Sequence, residues 1–189
     1  NDFYKVFTMS SQWKGRPNKR YDENIRFIKE YTEYSGDRVC LISMGEHDTI
    51  TANTEIEHTK KFTQVHLGNV IPSQAWIPVC ASDWFIHLEY LGHCPNVLVQ
   101  ALACQTAAVC SSAGGQQELV KQHQRGLIIE DKEFDYEICD YKNPPKMSFN
   151  DYHFSVIRNG YNLKKEQVSE LSITYVTKQY IKLFESILR

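Results

Sequence analysis

The sequence has 189 residues, of which 42% are hydrophobic and 23% are charged, a composition typical of one globular domain. Its 21 lysines and arginines against 23 aspartates and glutamates give a formal net charge of −2, which argues against nucleic acid or an anionic membrane as a partner. No apolar run approaches the roughly 20 residues of a membrane span and no signal peptide is visible. Because the cysteine pattern favours reduced thiols, we expect a cytoplasmic protein, with any contact to a membrane made through a part outside this segment.

Short apolar, β-rich runs alternate with helical patterns along the chain. In order, the patterns predict a strand over 4–9, a helix over 21–34, strands over 39–44 and 63–67, a short helix over 73–81, a strand over 84–88, a helix over 95–104, a strand over 107–110, a helix over 116–124 and a strand over 127–129. Repeated strand–helix units predict an α/β fold, a Rossmann-like doubly wound parallel sheet with helices on both faces.

The last third of the chain gives a weaker pattern. Residues 130–151 are predicted to be irregular, and a final helix over about 165–188 carries an apolar stripe that we expect to pack on a core. The stripe consists of Val168, Leu171, Tyr175, Val176, Tyr180, Leu183, Phe184 and Ile187. The whole of 1–189 is interpreted as a single domain. Because the first residues already resemble a strand, we expect a piece of a longer protein.

Cysteines and histidines give little sign of a metal site. The six cysteines form no C-x-x-C pair and mostly lie in apolar patterns, so we expect reduced thiols. His87, Glu89, His93 and Cys94 are close in sequence, but their spacing matches no standard metal site. Cys94 as a nucleophile at a helix start is a minor alternative for which no general base is identified.

Three loops lie at strand ends, where open parallel sheets bind their ligands. The loop over 10–20 holds four cationic side chains, which suit phosphate oxygens, although a solvated basic loop is the alternative. The segment 92–97 opens a helix, whose unpaired N–H groups suit a diphosphate, although it also fits an ordinary helix start. In 111–118, Gly114 and Gly115 predict a tight glycine turn approached closely by a ligand or by another backbone.

Motifs that are missing exclude other enzyme classes. No G-x-G-x-x-G follows a strand, which disfavours a dinucleotide dehydrogenase. The G-x-x-x-x-G-K-[ST] loop of P-loop NTPases and the G-x-S-x-G elbow of α/β hydrolases are absent as well.

The segment CPNVLVQALACQT (94–106), followed by VCSSAGGQQELV (109–120), resembles the C-terminal domain of retaining GT-B glycosyltransferases. More narrowly, it is similar to the glycosyl transferases group 1 family, whose pattern is roughly P-N-V-L-x-E-A-x-A-C-G-T-P-V-V-x-[ST]-x-x-G-G-x-x-E. Residues 10–21, 67–70 and 81–85 agree with the family in order and spacing, and Lys19 falls on the motif lysine. The resemblance covers about residues 4–130.

The resemblance implies that this domain binds a nucleotide-sugar donor such as a UDP- or GDP-sugar. An N-terminal Rossmann domain outside this segment would supply the site for a glycan or lipid acceptor. The residues implied to bind the donor diphosphate are Lys19, Arg16, Asn96 and Val97. The residues implied to contact the base are Gly68, Asn69 and Val70.

The sequence departs from the family pattern at several positions. The family usually has two glutamates eight positions apart, the second of which binds the ribose, and these positions are Gly92 and Gln100 here. Gln100 can still hydrogen-bond a ribose, as a neutral amide. Gly92 has no side chain, and Glu89 is the candidate to contact the ribose or sugar in its place. The family's Gly-Thr-Pro is Gln105-Thr106-Ala107. Either donor binding is rearranged or catalysis is weakened.

We therefore expect the donor-binding domain of a retaining, hexosyltransferase-like enzyme of glycan or polysaccharide synthesis, inactive as this isolated domain. No metal or other cofactor is expected, because no D-x-D-type carboxylate pair is present. One alternative is a degenerate GT-B-like module that binds a nucleotide sugar or a partner domain without turnover. Another is a structural half that only completes a cleft.

Overall fold

The computed structural model describes residues 4–131, 140–160 and 172–187. The strands are β1 (Tyr4–Ser10), β2 (Arg38–Met44), β3 (Thr54–His58), β4 (Phe62–Gly68), β5 (Trp84–His87), β6 (Ala107–Ser111) and β7 (Gly126–Ile129). The α-helices are α1 (Tyr21–Ser35), α2 (Pro72–Cys80), α3 (Asn96–Ala103), α4 (Gln116–His123), α5 (Asp151–Asn159) and α6 (Ile173–Ile187). A short 3-10 helix covers Pro17–Lys19.

The seven strands form one sheet in the order β3-β4-β2-β1-β5-β6-β7. All neighbours pair in parallel except β3, which is antiparallel to β4. From the central strand β1 the chain winds first toward β2 and then toward β5, so the winding reverses between β1 and β5. The sequence prediction of a Rossmann-like, mostly parallel α/β sheet is confirmed, and the reversal point is where such sheets bind their ligands.

Two hydrophobic cores cover the two faces of the sheet. One core includes Phe7, Phe27, Leu41, Ile86 and Phe154, and the other includes Met44, Phe85, Leu98, Leu102 and Val120. Neighbouring residues of β5 enter opposite cores because successive side chains of a strand point to opposite faces. Burial on both faces explains why the central strands β5 and β6 have almost continuous apolar sequences.

One strand and one α-helix did not appear in the sequence prediction. The edge strand β3 has the sequence TEIEH, in which only Ile56 is apolar, and it is held by pairing with β4. Helix α5 begins at a capping box, in which the Asn150 side chain accepts from the His153 amide at 3.3 Å and the His153 ring accepts from the Asn150 amide at 3.2 Å.

The C-terminal helix differs from its prediction. The predicted helix covered 165–188, and the structure describes the part of it that forms α6. Val168 and Leu171 of the predicted stripe lie outside the described residues. The expectation that the stripe packs on a core is wrong for the side chains that are described, since they lie exposed: Tyr175, Val176, Tyr180, Leu183 and Phe184. An amphipathic pattern identifies an apolar face but not the surface that covers it. No helix in the described parts of the chain is long and apolar enough to cross a membrane.

Candidate functional site

A cleft of about 570 Å³ opens at the carboxyl edge of the sheet, beside the point where the winding reverses. Its wall is formed by the loops that follow β1, β2, β4 and β5 and by the starts of α2 and α3. The lining residues are 10–12, 16, 19, 44–46, 69, 70, 75, 87 and 95–97. All four residues predicted to bind the diphosphate are among them, as are two of the three predicted for the base.

The floor of the cleft is a close contact between the loops after β1 and β2. The Ser11 amide donates to Met44 O at 3.2 Å, and the Trp13 indole N–H donates to the same oxygen at 2.8 Å. Gly45 has a φ of +113°, and a Cβ there would lie 1.7 Å from Ser11 O. Only glycine permits this approach, which the sequence analysis did not identify.

Two of the four cations in the loop over 10–20 form ion pairs and do not line the cleft. Lys14 forms an ion pair of 2.7 Å with Glu46 at the surface. Arg20 is buried and donates to Asp131 at 2.8 Å. Neither lines the cleft, so these two cations do not belong to a phosphate site.

The other two cations line the cleft. Arg16 is exposed, and no acidic side chain among the described residues lies within ion-pair distance of it. The Lys19 ammonium is half-buried and forms an ion pair with Glu89. Arg16 therefore carries the less compensated positive charge, whereas Lys19 already shares its charge with a carboxylate.

Glu89 is the centre of a buried polar group behind Lys19. One carboxylate oxygen accepts from Lys19 and from Asn18 Nδ2 at 3.3 Å, and the other accepts from His87 Nε2 at 2.9 Å. Burial alone would raise the pKa of Glu89, but its hydrogen bonds and charge interactions with His87 and Lys19 outweigh burial and hold the pKa below its usual value. Glu89 is therefore a charged carboxylate at neutral pH.

The Glu89 carboxylate occupies the space beside Gly92. A Cβ on Gly92 would lie 3.0 Å from Glu89 Oε2 and 2.9 Å from Gln116 Oε1. Gln116 is buried and donates to Glu89 O at 2.6 Å and to Ser111 O at 3.1 Å. A side chain at position 92 would thus begin where the carboxylate of Glu89 already lies.

The first turn of α3 has free backbone donors that face the cleft. Its N-cap is Pro95, no described side chain caps it, and its first turn has no acidic residue. The Leu98 amide bonds to Pro95 O at 2.9 Å, whereas the Asn96 and Val97 amides form no hydrogen bond within the described parts of the chain. Free amides and the positive end of the helix dipole make this turn suitable for an anion.

The glycine turn after β6 serves contact between backbones. Gly114 has a φ of +96°, and a Cβ on it would lie 2.4 Å from Gly92 O. On Gly115, a Cβ would lie 2.2 Å from His93 O, and the Gly115 amide donates to Gly92 O at 2.9 Å. The sequence left open whether a ligand or another backbone approaches this turn, and the structure shows another backbone there. Neither glycine lines the cleft.

The remaining predicted contacts differ in their access to the cleft. Asn69 is exposed and Val70 is half-buried, and both line the wall. Gly68 is buried, and its carbonyl accepts from the Gly45 amide at 2.8 Å, so it shapes the wall without lining it. Gln100 is exposed on α3, one turn after Asn96, and does not line the cleft.

The histidines near the cleft form no recognisable metal site. Within the three described ranges, no group of three His, Cys, Asp or Glu side chains is arranged to hold a metal ion. His87 is buried, lines the cleft and is bound to Glu89, while His93 and Cys94 are exposed. His87 was not predicted to belong to the donor site. Its i, i+2 spacing from Glu89 at the end of a buried strand was the available signal that both side chains lie on one face.

Comparisons with known proteins gave one family match and several similar solved structures. A family model described as glycosyl transferases group 1 matches residues 6–137. Similar solved structures include HepE from Anabaena in complex with UDP-glucose, at 20% identity, 68% coverage of this chain and a TM-score of 0.49. Another is WaaG, a glycosyltransferase involved in lipopolysaccharide biosynthesis, at 12% identity, 70% coverage and a TM-score of 0.50. The chain matches 35% of the length of each, and no curated protein sequence matches it.

Proposed function

The chain belongs to the glycosyl transferases group 1 family, and from this premise we propose that it is the donor-binding domain of a retaining, hexose-transferring enzyme. The sugar would pass from a nucleotide sugar to a glycan or lipid acceptor held by a further Rossmann domain of the parent protein. One observation carries the proposal. The cleft joins the cations Arg16 and Lys19 to the uncapped first turn of α3 at the reversal point of the sheet.

We assign the donor diphosphate to the space between these groups. Arg16 would supply a charge that no acidic side chain in the described ranges compensates, and the Asn96 and Val97 amides would supply two donors. Hydrogen bonds from cations and from helix N-termini to phosphate are strong because one or both partners carry charge. As the sugar leaves, negative charge grows on the diphosphate, so the same groups would stabilise the transition state.

We assign the sugar side of the site to Glu89 and the nucleoside side to the turn after β4. Glu89 would replace the acidic side chain that the family has at position 92, since its carboxylate lies 3.0 Å from where a Cβ on Gly92 would be. Lys19 would bridge the Glu89 carboxylate and the phosphate, and His87 would fix the other carboxylate oxygen. The base contacts would be Asn69 and Val70, supported from behind by Gly68, with Gln100 and Gly92 near the ribose or sugar. No metal is required, because the protein itself supplies the cations.

A thermal-shift experiment tests the donor site. Millimolar UDP or GDP should raise the melting temperature of the chain, and Lys19→Ala should abolish that rise. Lys60→Ala is the matched control, because Lys60 lies exposed in the turn between β3 and β4 and does not line the cleft. If no nucleotide raised the melting temperature, the donor site would be contradicted. If Lys19→Ala and Lys60→Ala gave the same shift in melting temperature, the assignment of Lys19 to the phosphate would be contradicted.

A degenerate module that binds without turnover is the second candidate, and Gly92 and Gln100 are the observations in its favour. The two candidate functions differ in whether the intact parent protein transfers sugar from a nucleotide-sugar donor. Release of free UDP or GDP from a nucleotide sugar by the parent protein, in the presence of acceptor, supports the enzyme. Nucleotide binding by a parent protein that releases none across a panel of sugars and acceptors supports the module. The isolated chain should transfer no sugar in either case.

A further inference from the structure

Two cysteines lie at the far ends of the helices that flank the cleft. Cys80 is the last residue of α2, and Cys104 directly follows the last residue of α3. Both are free thiols in this structure. Cys80 is exposed to solvent and Cys104 is half-buried, so a soluble reagent reaches the first more easily than the second.

Hydrogen bonds hold these two helix ends in a fixed relation. Thr106 Oγ1 donates to Val79 O at 2.7 Å, which places the residue before Cys80 against the strand entry that follows Cys104. Cys104 Sγ lies 4.0 Å from Trp76 O, the carbonyl that faces the Cys80 amide four residues later in the helix. This contact places the Cys104 thiol beside the last turn of α2, the turn that ends at Cys80.

We propose that Cys80 and Cys104 are a site of reversible oxidation, at which a disulfide links α2 to α3. The oxidant would be a low-molecular-weight disulfide such as oxidised glutathione. The Cys80 thiolate attacks one glutathione sulfur and releases the first glutathione thiolate, leaving a mixed disulfide. Cys104 then loses its proton and attacks Cys80 Sγ, which releases the second. The two protein thiols give up two protons and two electrons, and one glutathione disulfide becomes two thiols.

The surroundings of the two sulfurs fix the order of attack. Burial, followed by the hydrogen bond and charge interaction with Cys80, raises the pKa of Cys104 to about 12. A thiolate is the attacking form, so the exposed Cys80 reacts first and Cys104 resolves the mixed disulfide. Cys110 is unsuited to this chemistry, because burial raises its pKa to about 12 and leaves no access for a reagent.

The experiment treats the full chain with oxidised glutathione at about pH 8, where ordinary thiols are partly ionised. Remaining thiols are then alkylated and the peptides are mapped by mass spectrometry. We expect a cross-linked peptide pair containing Cys80 and Cys104, lighter by two hydrogen atoms. Closing the loop over 81–103 should also raise the melting temperature by about 5–10 °C, and dithiothreitol should reverse the rise.

Single serine variants provide the controls. Cys80→Ser and Cys104→Ser should each abolish both the cross-link and the rise in melting temperature, while Cys94→Ser should keep both, since Cys94 is exposed but lies at the opposite end of α3. Glutathione that stays on Cys80 while Cys104 is alkylated would overturn the proposal. A cross-link from Cys80 to a different cysteine, or an equal rise in melting temperature for Cys80→Ser, would overturn it as well.

Discussion

Lys19 and Arg20 are consecutive residues of one loop, yet their ion pairs have different surroundings. In the Arg20–Asp131 pair both side chains are 1% exposed, and Arg20 also donates to Pro145 O at 2.6 Å. In the Lys19–Glu89 pair the side chains are 16% and 7% exposed, and Lys19 lines the cleft. The left-handed conformation of Arg20, with a φ of 55°, accompanies this change of direction between neighbouring side chains.

The contrast separates a charge enclosed by the fold from a charge that a ligand in the cleft could reach. A buried pair enclosed by protein is costly to break, because the partner is left as an unpaired charge away from water. A cation that lines a cleft, as Lys19 does in front of the buried Glu89, can exchange partners with an incoming anion at lower cost. A basic run in a sequence is therefore not one site, and the surroundings of each cation decide its role.

Removal of the enclosed cation should have the largest effect on stability. Arg20→Met should lower the free energy of unfolding by about 3–5 kcal/mol, because Asp131 stays buried without its partner. The melting temperature should fall by roughly 10 °C or more. Urea unfolding of Arg20→Met and of Arg20→Met with Asp131→Leu measures this effect, and the double variant should recover part of the loss. A loss below about 1 kcal/mol for the single variant would show that the two pairs are energetically alike.

The cleft-facing cation should matter more for ligand binding than for stability. Lys19→Met should cost about 1–2 kcal/mol of stability, because His87 and Asn18 still bond to Glu89. Its affinity for UDP or GDP should fall at least tenfold, equivalent to about 1.4 kcal/mol or more, since a cation is lost and the Glu89 carboxylate behind it is left without that partner. Calorimetric titration measures both variants. If Arg20→Met lost nucleotide affinity to the same extent while folded, the division of roles would be wrong.

The close approach of Glu89 to position 92 allows a test of where the Glu89 carboxylate lies. Gly92→Asp should lower the free energy of unfolding by about 1–3 kcal/mol, because the new side chain meets Glu89 Oε2 and Gln116 Oε1. Glu89→Ser in the same chain should relieve most of this loss. Unfolding of the two single variants and the double variant gives the coupling between the positions. Additive losses would show that Glu89 does not occupy the space beside position 92.

A smaller effect, the pH dependence of stability, should come from His66, which belongs to neither ion pair. His66 is buried, and its ring hydrogen-bonds to Ser43 Oγ at 2.9 Å. Burial, together with the nearby charge of His47, lowers the pKa of His66 in the folded protein. Stability should therefore be complete above the unfolded pKa near 6.5 and decline below it, by at most about 1.4 kcal/mol per pH unit. Glu89 stays charged in this range, since its pKa lies below its usual value.

Urea unfolding between about pH 8 and pH 5 measures the decline, and His66→Asn should flatten it. The same pH dependence in both proteins would assign the effect to other groups.

The sequence predicted best where burial alone determines the pattern. Strands β2 and β5 and helix α3 have apolar runs or stripes that any partner surface would require. The edge strand β3 has no such run, because it is held by backbone pairing with β4. In α6 the apolar face was predicted correctly, but no periodicity could show that its described side chains lie exposed.

In the cleft, the sequence predicted positions better than partners. Loops at the ends of parallel strands meet at one edge, so the family pattern was enough to bring Arg16, Lys19 and Asn96 together. The pairing of Lys19 with Glu89 joins residues of different loops and depends on the three-dimensional structure. Gly45 was missed for a similar reason, since its need for glycine comes from Ser11 on another loop.

The most direct test of the cleft as a diphosphate site is a ¹H–¹⁵N NMR titration of the chain with UDP and GDP. We expect the largest amide shifts at Asn96 and Val97, at Arg16 and Lys19, and beside Asn69. The amides of the glycine turn at Gly114 and Gly115 should change less, because they face another backbone. The largest shifts at that turn, or no shifts with millimolar nucleotide, would contradict the assignment of the cleft as the donor site.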